Sequence, residues 1–94
     1  MTPEGKVKAS ISGALKAAGA YYHMPVQNGM GKPTLDYIGC YRGRFFAIEA
    51  KAPGKVPTER QERTIAEMRL SGAAVFFIDG TNFRPLLDWL EEVE

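Results

Sequence analysis

The stretch Leu35–Lys51, LDYIGCYRGRFFAIEAK, decides how this chain of 94 residues folds. Two runs rich in aromatic and β-branched side chains flank the dipeptide Arg42-Gly43. This pattern is typical of a β-hairpin whose turn has two residues, with glycine in the second position. The stretch therefore predicts two antiparallel strands, over residues 35–41 and 44–50.

Charged side chains cluster at the open end of this predicted hairpin. A two-residue turn pairs Tyr41 with Arg44, and the same register places Asp36 directly opposite Glu49. Lys51 follows Glu49 by two residues and therefore points to the same face of the sheet. Two carboxylates with a nearby ammonium are suited to a hard divalent cation and to phosphate chemistry. The alternative is a surface ion pair between Lys51 and one carboxylate, which would contribute little to stability.

Three further residues are candidates for the same site. The backbone carbonyl of Ala50 lies where the strand ends and could add an oxygen ligand. Gln61 shares a helix face with apolar residues, and it either supports the site or only completes a capping box with Thr58. Glu4 lies on the apolar stripe of the first predicted helix, and it either joins the site or only complements the helix dipole. The sequence leaves both alternatives open.

Helix and strand signals on both sides of the hairpin complete the fold. Thr2 followed by Pro3 predicts a helix start, and Gly19 predicts its end. An aromatic stretch containing Pro25 predicts an edge strand, and a continuous apolar run predicts a buried strand. The predicted order is α-β-β-β-α-β-α, an α/β fold with helices covering a mixed sheet. The predicted helices cover residues 3–18, 58–71 and 83–90, and the two further strands cover 21–27 and 73–78.

Composition limits the classes of protein to which the chain can belong. The length allows one small domain, over residues 1–94. The single cysteine, Cys40, excludes an internal disulfide framework and suits the reducing cytoplasm. No apolar run reaches the length of a membrane span, and no signal sequence is expected. The first 57 residues carry eight Lys and Arg against three Asp and Glu, whereas the remainder carries four against eight, which favours a polyanionic partner for the first part.

The motifs of the central stretch resemble those of a known nuclease family. Leu35-Asp36 followed by Glu49-Ala50-Lys51 resembles the PD-(D/E)xK nuclease motif, with Leu35 where the motif name has Pro. The run from Gly31 to Asp79 is more closely similar to the VRR-NUC (virus-type replication–repair nuclease) branch. The resemblance implies a single restriction-endonuclease-like domain. The matching segments are Asp36-Tyr37-Ile38-Gly39, Phe46-Ala47-Ile48-Glu49-Ala50-Lys51, and Pro57-Thr58 with Gln61.

The resemblance also implies an activity and roles for the site residues. It implies a Mg²⁺- or Mn²⁺-dependent endonuclease that hydrolyses phosphodiester bonds in branched DNA, including Holliday junctions. Asp36 and Glu49 would be metal ligands, with Glu4 as a further candidate, while Lys51 would be the catalytic lysine and Gln61 would support the site. Relatives of this size imply a homodimer, often encoded by a phage and acting in the bacterial cytoplasm.

Other functions remain open on the sequence alone. The alternatives are a flap or single-strand nuclease, a non-cleaving DNA-binding subunit of a repair or replication complex, and a protein–protein adaptor. A partner helicase is not indicated by any residue pattern. Apolar residues of the last helix and Tyr21 and Tyr22 either form a dimer surface or close the monomer core. Candidate contacts to DNA phosphates are Lys6, Lys8, Lys32, Arg42, Arg44, Lys55, Arg60 and Arg63.

Overall fold

A mixed sheet of four strands forms the centre of the fold in the computed structural model, which describes residues 1–26 and 31–94. The strand order is β1-β2-β3-β4, with the first two pairs antiparallel and the last pair parallel. The order of elements and the mixed sheet confirm the predicted α/β fold. The elements are α1 (Pro3–Ala18), β1 (Tyr21–His23), β2 (Tyr37–Tyr41), β3 (Arg44–Ala50), α2 (Glu59–Leu70), β4 (Ala74–Ile78) and α3 (Arg84–Glu92).

The hairpin of β2 and β3 has the register that the turn predicts. Tyr41 pairs with Arg44, and the ladder continues to the pair of Tyr37 and Ile48. Arg42 and Gly43 have φ angles of 52° and 77°, which a two-residue turn between twisted strands requires. The ladder thus places the start of β2 beside the end of β3. Asp36 precedes the first of these and Glu49 lies in the second.

Three strands are shorter than the sequence predicts, and β4 lacks only the first predicted residue, Ala73. β2 begins at Tyr37 instead of Leu35, and the Asp36 side chain accepts a hydrogen bond from the Ala50 backbone N–H of β3. β1 ends at His23 and is the edge strand next to β2, as expected of a segment followed by Pro25. The predicted end of that strand at Gln27, and the predicted loop residues Asn28–Met30, lie outside the described residues.

The helix termini form where the sequence signals lie. The Thr2 side chain accepts a hydrogen bond from the Gly5 backbone N–H at 3.0 Å, and Gly19 ends α1 in the left-handed conformation with a φ of 79°. Thr58 and Gln61 form both bonds of a capping box at the start of α2. Local side-chain chemistry therefore fixes where α1 and α2 begin, and with them the positions of Glu4 and Gln61.

The sheet has one apolar core on each face. Phe46 and Ile48 of β3 pack with buried residues of α1 and α3, whereas Ala47 packs with Ile65 of α2 on the opposite face. This alternation follows from the two-residue period of a strand. The end of β3 therefore lies between α1 on one side and α2 on the other.

The last helix completes the monomer core. Leu86 and Leu90 are buried, and Trp89 packs against the core with its ring centroid 5.7 Å from that of Phe46 and 5.6 Å from that of Phe76. Leu86, Trp89 and Leu90 of this helix thus help to close the monomer core. None of the helices in residues 1–26 and 31–94 has the length and apolar character needed to cross a membrane.

Candidate active site

Asp36 lies at the entrance to β2 and is bound to the end of β3. Its Oδ2 accepts a hydrogen bond from the Ala50 backbone N–H at 2.9 Å. In an extended strand the N–H and C=O of one residue point to the same side, so the Ala50 carbonyl is directed to the β2 side of β3. The other carboxylate oxygen of Asp36, Oδ1, lies 3.9 Å from the Nζ of Lys8. One oxygen of Asp36 is thus used by the fold, while the other faces the charged site.

Glu49 is the one buried charged residue in the described part of the chain, with 3% of its surface exposed. Its Oε2 accepts a hydrogen bond from the Nε2 of Gln61 at 2.8 Å and lies 3.8 Å from the Nζ of Lys51. Burial, and secondly the negative charge of Asp36, raise the pKa of Glu49 to about 7, although the Lys51 ammonium opposes this shift. Because burial and the charge of Asp36 disfavour the ionised form of Glu49, a further cation beside this carboxylate would be stabilising.

Gln61 links the start of α2 to the Glu49 carboxylate. Its Oε1 accepts a hydrogen bond from the Thr58 backbone N–H at 2.9 Å, while its Nε2 donates to Glu49. Gln61 therefore completes the capping box and contacts Glu49 at the same time, because its amide oxygen makes the first bond and its amide nitrogen the second. The helix cap orients the amide so that its N–H group points at the carboxylate.

Helix α1 supplies the other wall of the site. Glu4 is half-buried, and its Oε2 lies 3.4 Å from the Nζ of Lys8, one helical turn later. The same Nζ faces Asp36, so Lys8 lies between carboxylates from two different elements. Glu4 thus reaches the site through Lys8.

A buried tyrosine holds α1 at this distance from the hairpin. The Tyr37 hydroxyl donates to the Lys8 backbone carbonyl at 2.9 Å, and it accepts from the Ser12 hydroxyl at 2.9 Å because its own proton is already used. Tyr37 is fully buried and directly follows Asp36. This attachment fixes the separation of Lys8 and Asp36 through the core.

The donor set fits a hard divalent cation with few protein ligands. In residues 1–26 and 31–94 no group of three or more acidic, histidine or cysteine side chains is close enough to hold a metal ion together. Mg²⁺ commonly takes only one or two carboxylates and completes its shell with waters and substrate phosphates. Asp36 and Glu49 supply two carboxylates close enough for one charge to raise the pKa of the other. The candidate ligands are therefore Asp36, Glu49 and the Ala50 carbonyl.

The predicted phosphate contacts do not form one patch. Arg42 and Arg44 lie at the turn of the hairpin, and Arg44 is five residues from Glu49 along β3, or roughly 16 Å. The Arg42 guanidinium donates to the Val93 carbonyl at 3.2 Å and lies over the Tyr41 ring, so it is held against the end of the chain. Lys6 and Lys55 are exposed, on α1 and in the loop after β3.

Three further cations of that set, Lys32, Arg60 and Arg63, line a cavity beside α2. This cavity has a volume of about 740 Å³ and is lined in part by Phe45, Arg60, Arg63 and Met68. Lys32 also lines it and pairs with Glu67, while Arg63 pairs with Glu59 at 3.2 Å. Phe45, in the wall of this cavity, and Glu49 lie four residues apart on one face of β3, or roughly 13 Å.

The sequence reasoning missed two contributions to the site. It grouped Lys8 with the phosphate contacts, whereas the structure places its ammonium against Glu4 and Asp36. It assigned no role to the Tyr37 hydroxyl, which attaches α1 to the hairpin. The spacing of Glu4 and Lys8, four residues apart on a helix, is a signal for their pairing. Nothing local indicates the contact with Asp36, which is 28 residues away.

Comparison with known proteins supports the same architecture. No protein-family model matches the chain, and no curated protein matches it. A solved structure described as a VRR_NUC domain superposes on it with a TM-score of 0.78 and 23% sequence identity, covering 100% of both chains. Because the superposition leaves no element of either chain unmatched, this chain has the fold of a VRR_NUC domain.

Proposed function

We propose that this chain is a nuclease of the PD-(D/E)xK type that hydrolyses phosphodiester bonds in DNA with Mg²⁺ or Mn²⁺ as cofactor. One observation carries the proposal: Asp36, Glu49, Lys51 and Gln61 meet at one end of the β2–β3 hairpin. The fold is that of a VRR_NUC domain, and this supports the same activity. A non-cleaving subunit or a protein adaptor would not need a lysine beside a buried carboxylate at this position.

Each residue of the site has a distinct role in this proposal. Asp36, Glu49 and the Ala50 carbonyl would hold the divalent cation, with Glu4 as a more distant carboxylate. The cation would lower the pKa of water and neutralise charge that develops on the phosphate. Gln61 keeps the Glu49 carboxylate oriented through its 2.8 Å hydrogen bond.

Lys51 would act directly on the substrate. Its Nζ lies 3.8 Å from Glu49, beyond hydrogen-bond distance, and its side chain is 20% exposed. An ammonium has three N–H donors, so Lys51 has donors for a phosphate oxygen or for the attacking water. Positive charge at this point stabilises the extra negative charge of the transition state.

We further propose that the substrate is branched DNA, such as a Holliday junction, and that the enzyme acts as a homodimer in the cytoplasm. A two-fold dimer presents two sites, which symmetrical cleavage of a four-way junction requires. The apolar surface left for such a dimer includes Tyr21 and Phe45, which are 78% and 47% exposed. Leu86 and Leu90 of α3 are buried in the monomer and would not contribute to this surface.

The test of the activity is cleavage of end-labelled DNA. The substrates are a four-way junction, a 5′ flap, a splayed arm and a plain duplex, each with Mg²⁺, Mn²⁺ or chelator. Paired nicks in the junction that need the metal are the expected result. Cleavage of flaps alone would keep the chemistry and change the substrate. Tight junction binding without any cleavage would favour a DNA-binding subunit instead.

The test of the dimer is light scattering at micromolar concentration. A homodimer would have twice the 10.4 kDa mass of the chain. Replacing the exposed Phe45 by Glu should lower the measured mass if this surface lies in the contact. Particles of the single-chain mass alone, with and without junction DNA, would contradict the homodimer.

A further inference from the structure

Lys8 is held at the site by the core, and not only by its own side chain. Its ammonium lies 3.4 Å from Glu4 Oε2 and 3.9 Å from Asp36 Oδ1, with 31% of the side chain exposed. Its backbone carbonyl accepts a hydrogen bond from the buried Tyr37 hydroxyl. Because Tyr37 follows Asp36 directly, the fold itself brings the ammonium to the carboxylate.

The charged side chains of the site form two groups, each around one lysine. Lys51 faces Glu49, whereas Lys8 faces Asp36 and Glu4. Without Lys8, the Asp36 and Glu4 carboxylates would have no ammonium within 4 Å among the described residues. Like charges at such short range repel unless a cation lies near them. Lys8 therefore supplies, next to these carboxylates, the positive charge that a bound cation would supply in its place.

We propose that Lys8 is the counter-ion of the free site, and that a divalent cation must displace its ammonium in order to bind. This inference rests on the proposed metal site at Asp36 and Glu49 and adds a residue that sets its affinity. A lysine suits this role, since its ammonium is a point charge on a flexible stem that can turn outward. Both separations are those of loose ion pairs, and neither is a tight hydrogen bond that would resist displacement.

The counter-ion role predicts a gain of function on substitution, which a merely structural role would not. Lys8→Met keeps the length of the stem and removes the charge, so the free protein should bind Mn²⁺ roughly tenfold more tightly. Lys8→Arg keeps the charge and should bind Mn²⁺ as the wild type does. Lys6→Met removes a charge two residues earlier, which is about 200° around the helix and exposed. Its affinity for Mn²⁺ should stay within about twofold of the wild type.

The experiment is calorimetric titration of the full chain with Mn²⁺ in the absence of DNA, so cleavage plays no part in the readout. Thermal melting in chelator establishes that each variant is folded, and the rise in melting temperature on adding Mn²⁺ should be larger for Lys8→Met than for the wild type. If the wild type binds Mn²⁺ and Lys8→Met binds it equally or more weakly, the counter-ion role is wrong and the metal site stands. If neither binds Mn²⁺, both the counter-ion role and the proposed metal site are wrong.

Discussion

At the scale of single residues, Lys51→Ala should separate DNA binding from cleavage. Lys51→Ala removes the ammonium that the proposed mechanism places on the phosphate, while it leaves both carboxylates and the Gln61 bond in place. We expect the cleavage rate of junction DNA to fall at least about a thousandfold. The affinity for the same DNA in chelator should change less than about threefold, and fluorescence anisotropy measures it. A variant that cuts at the wild-type rate would exclude Lys51 as the catalytic lysine.

Glu49 should give the free protein a distinctive dependence of stability on pH. Its pKa is about 7 in the folded protein, against an ordinary value of 4.5 for a glutamate side chain, so the folded state holds an extra proton between these pH values. The stability that this proton contributes is complete below pH 4.5 and is lost as the pH rises through about 7. Glu49→Gln cannot lose a proton and does not share this loss.

The free energy of unfolding measured in chelator at pH 5 and at pH 8 checks this expectation. Relative to the wild type, Glu49→Gln should gain up to about 3 kcal/mol between the two pH values. Glu91→Gln, at an exposed position on α3, is the matched control and should show no such gain. A stability difference that is the same at both pH values would contradict the raised pKa.

At the scale of elements, the Tyr37 hydroxyl attaches α1 to the hairpin. It makes two hydrogen bonds, to Lys8 and Ser12, from a fully buried ring. Tyr37→Phe removes both bonds and should lower the free energy of unfolding by about 1–3 kcal/mol. Tyr21→Phe, at an exposed position, should change it by less than about 0.5 kcal/mol. Urea denaturation measures both, and equal stability of the two variants would show that the attachment is unimportant.

Packing against α2 explains why β2 is shorter than the sequence predicts. Leu35 is apolar and extends the strand pattern, but it is buried against Ala47 and Ile65 on the α2 side, before the ladder begins. Asp36 then satisfies the Ala50 N–H with its side chain, in place of the backbone carbonyl of a continuing strand. The ladder ends at Tyr37 and Ile48, one residue before Asp36 and Glu49.

At the scale of the whole molecule, the positive charge lies in several places and only part of it adjoins the site. Lys55 lies in the loop four residues after Lys51 and is exposed. Lys55→Ala should reduce by about one unit the slope of log affinity for junction DNA against log salt concentration. Lys16→Ala, at the end of α1 roughly 18 Å from Glu4, is the matched control and should leave the slope unchanged. Equal slopes for both variants would remove Lys55 from the interface.

Whole-molecule packing also decided between alternatives that the sequence left open. Helical spacing predicts that Trp89 lies beside the apolar stripe of α3, yet its ring contacts the rings of Tyr41, Phe46 and Phe76. Cys40 has the position of a buried strand residue, yet it is exposed, as is its partner Phe45 on the same sheet face. A strand pattern states which residues share a face, and the placement of helices decides which part of that face is covered.

The sequence by itself determined the order of elements, the hairpin register, and the caps of α1 and α2. These features depend on residues within a few positions of one another, so local backbone preferences and hydrogen bonds are enough to specify them. The tertiary structure alone decided the burial and raised pKa of Glu49, the double use of the Gln61 amide, and the place of Lys8 beside Asp36. These features arise where segments far apart in the chain meet, and the electrostatic environment of each group is set by that meeting and not by its neighbours in sequence.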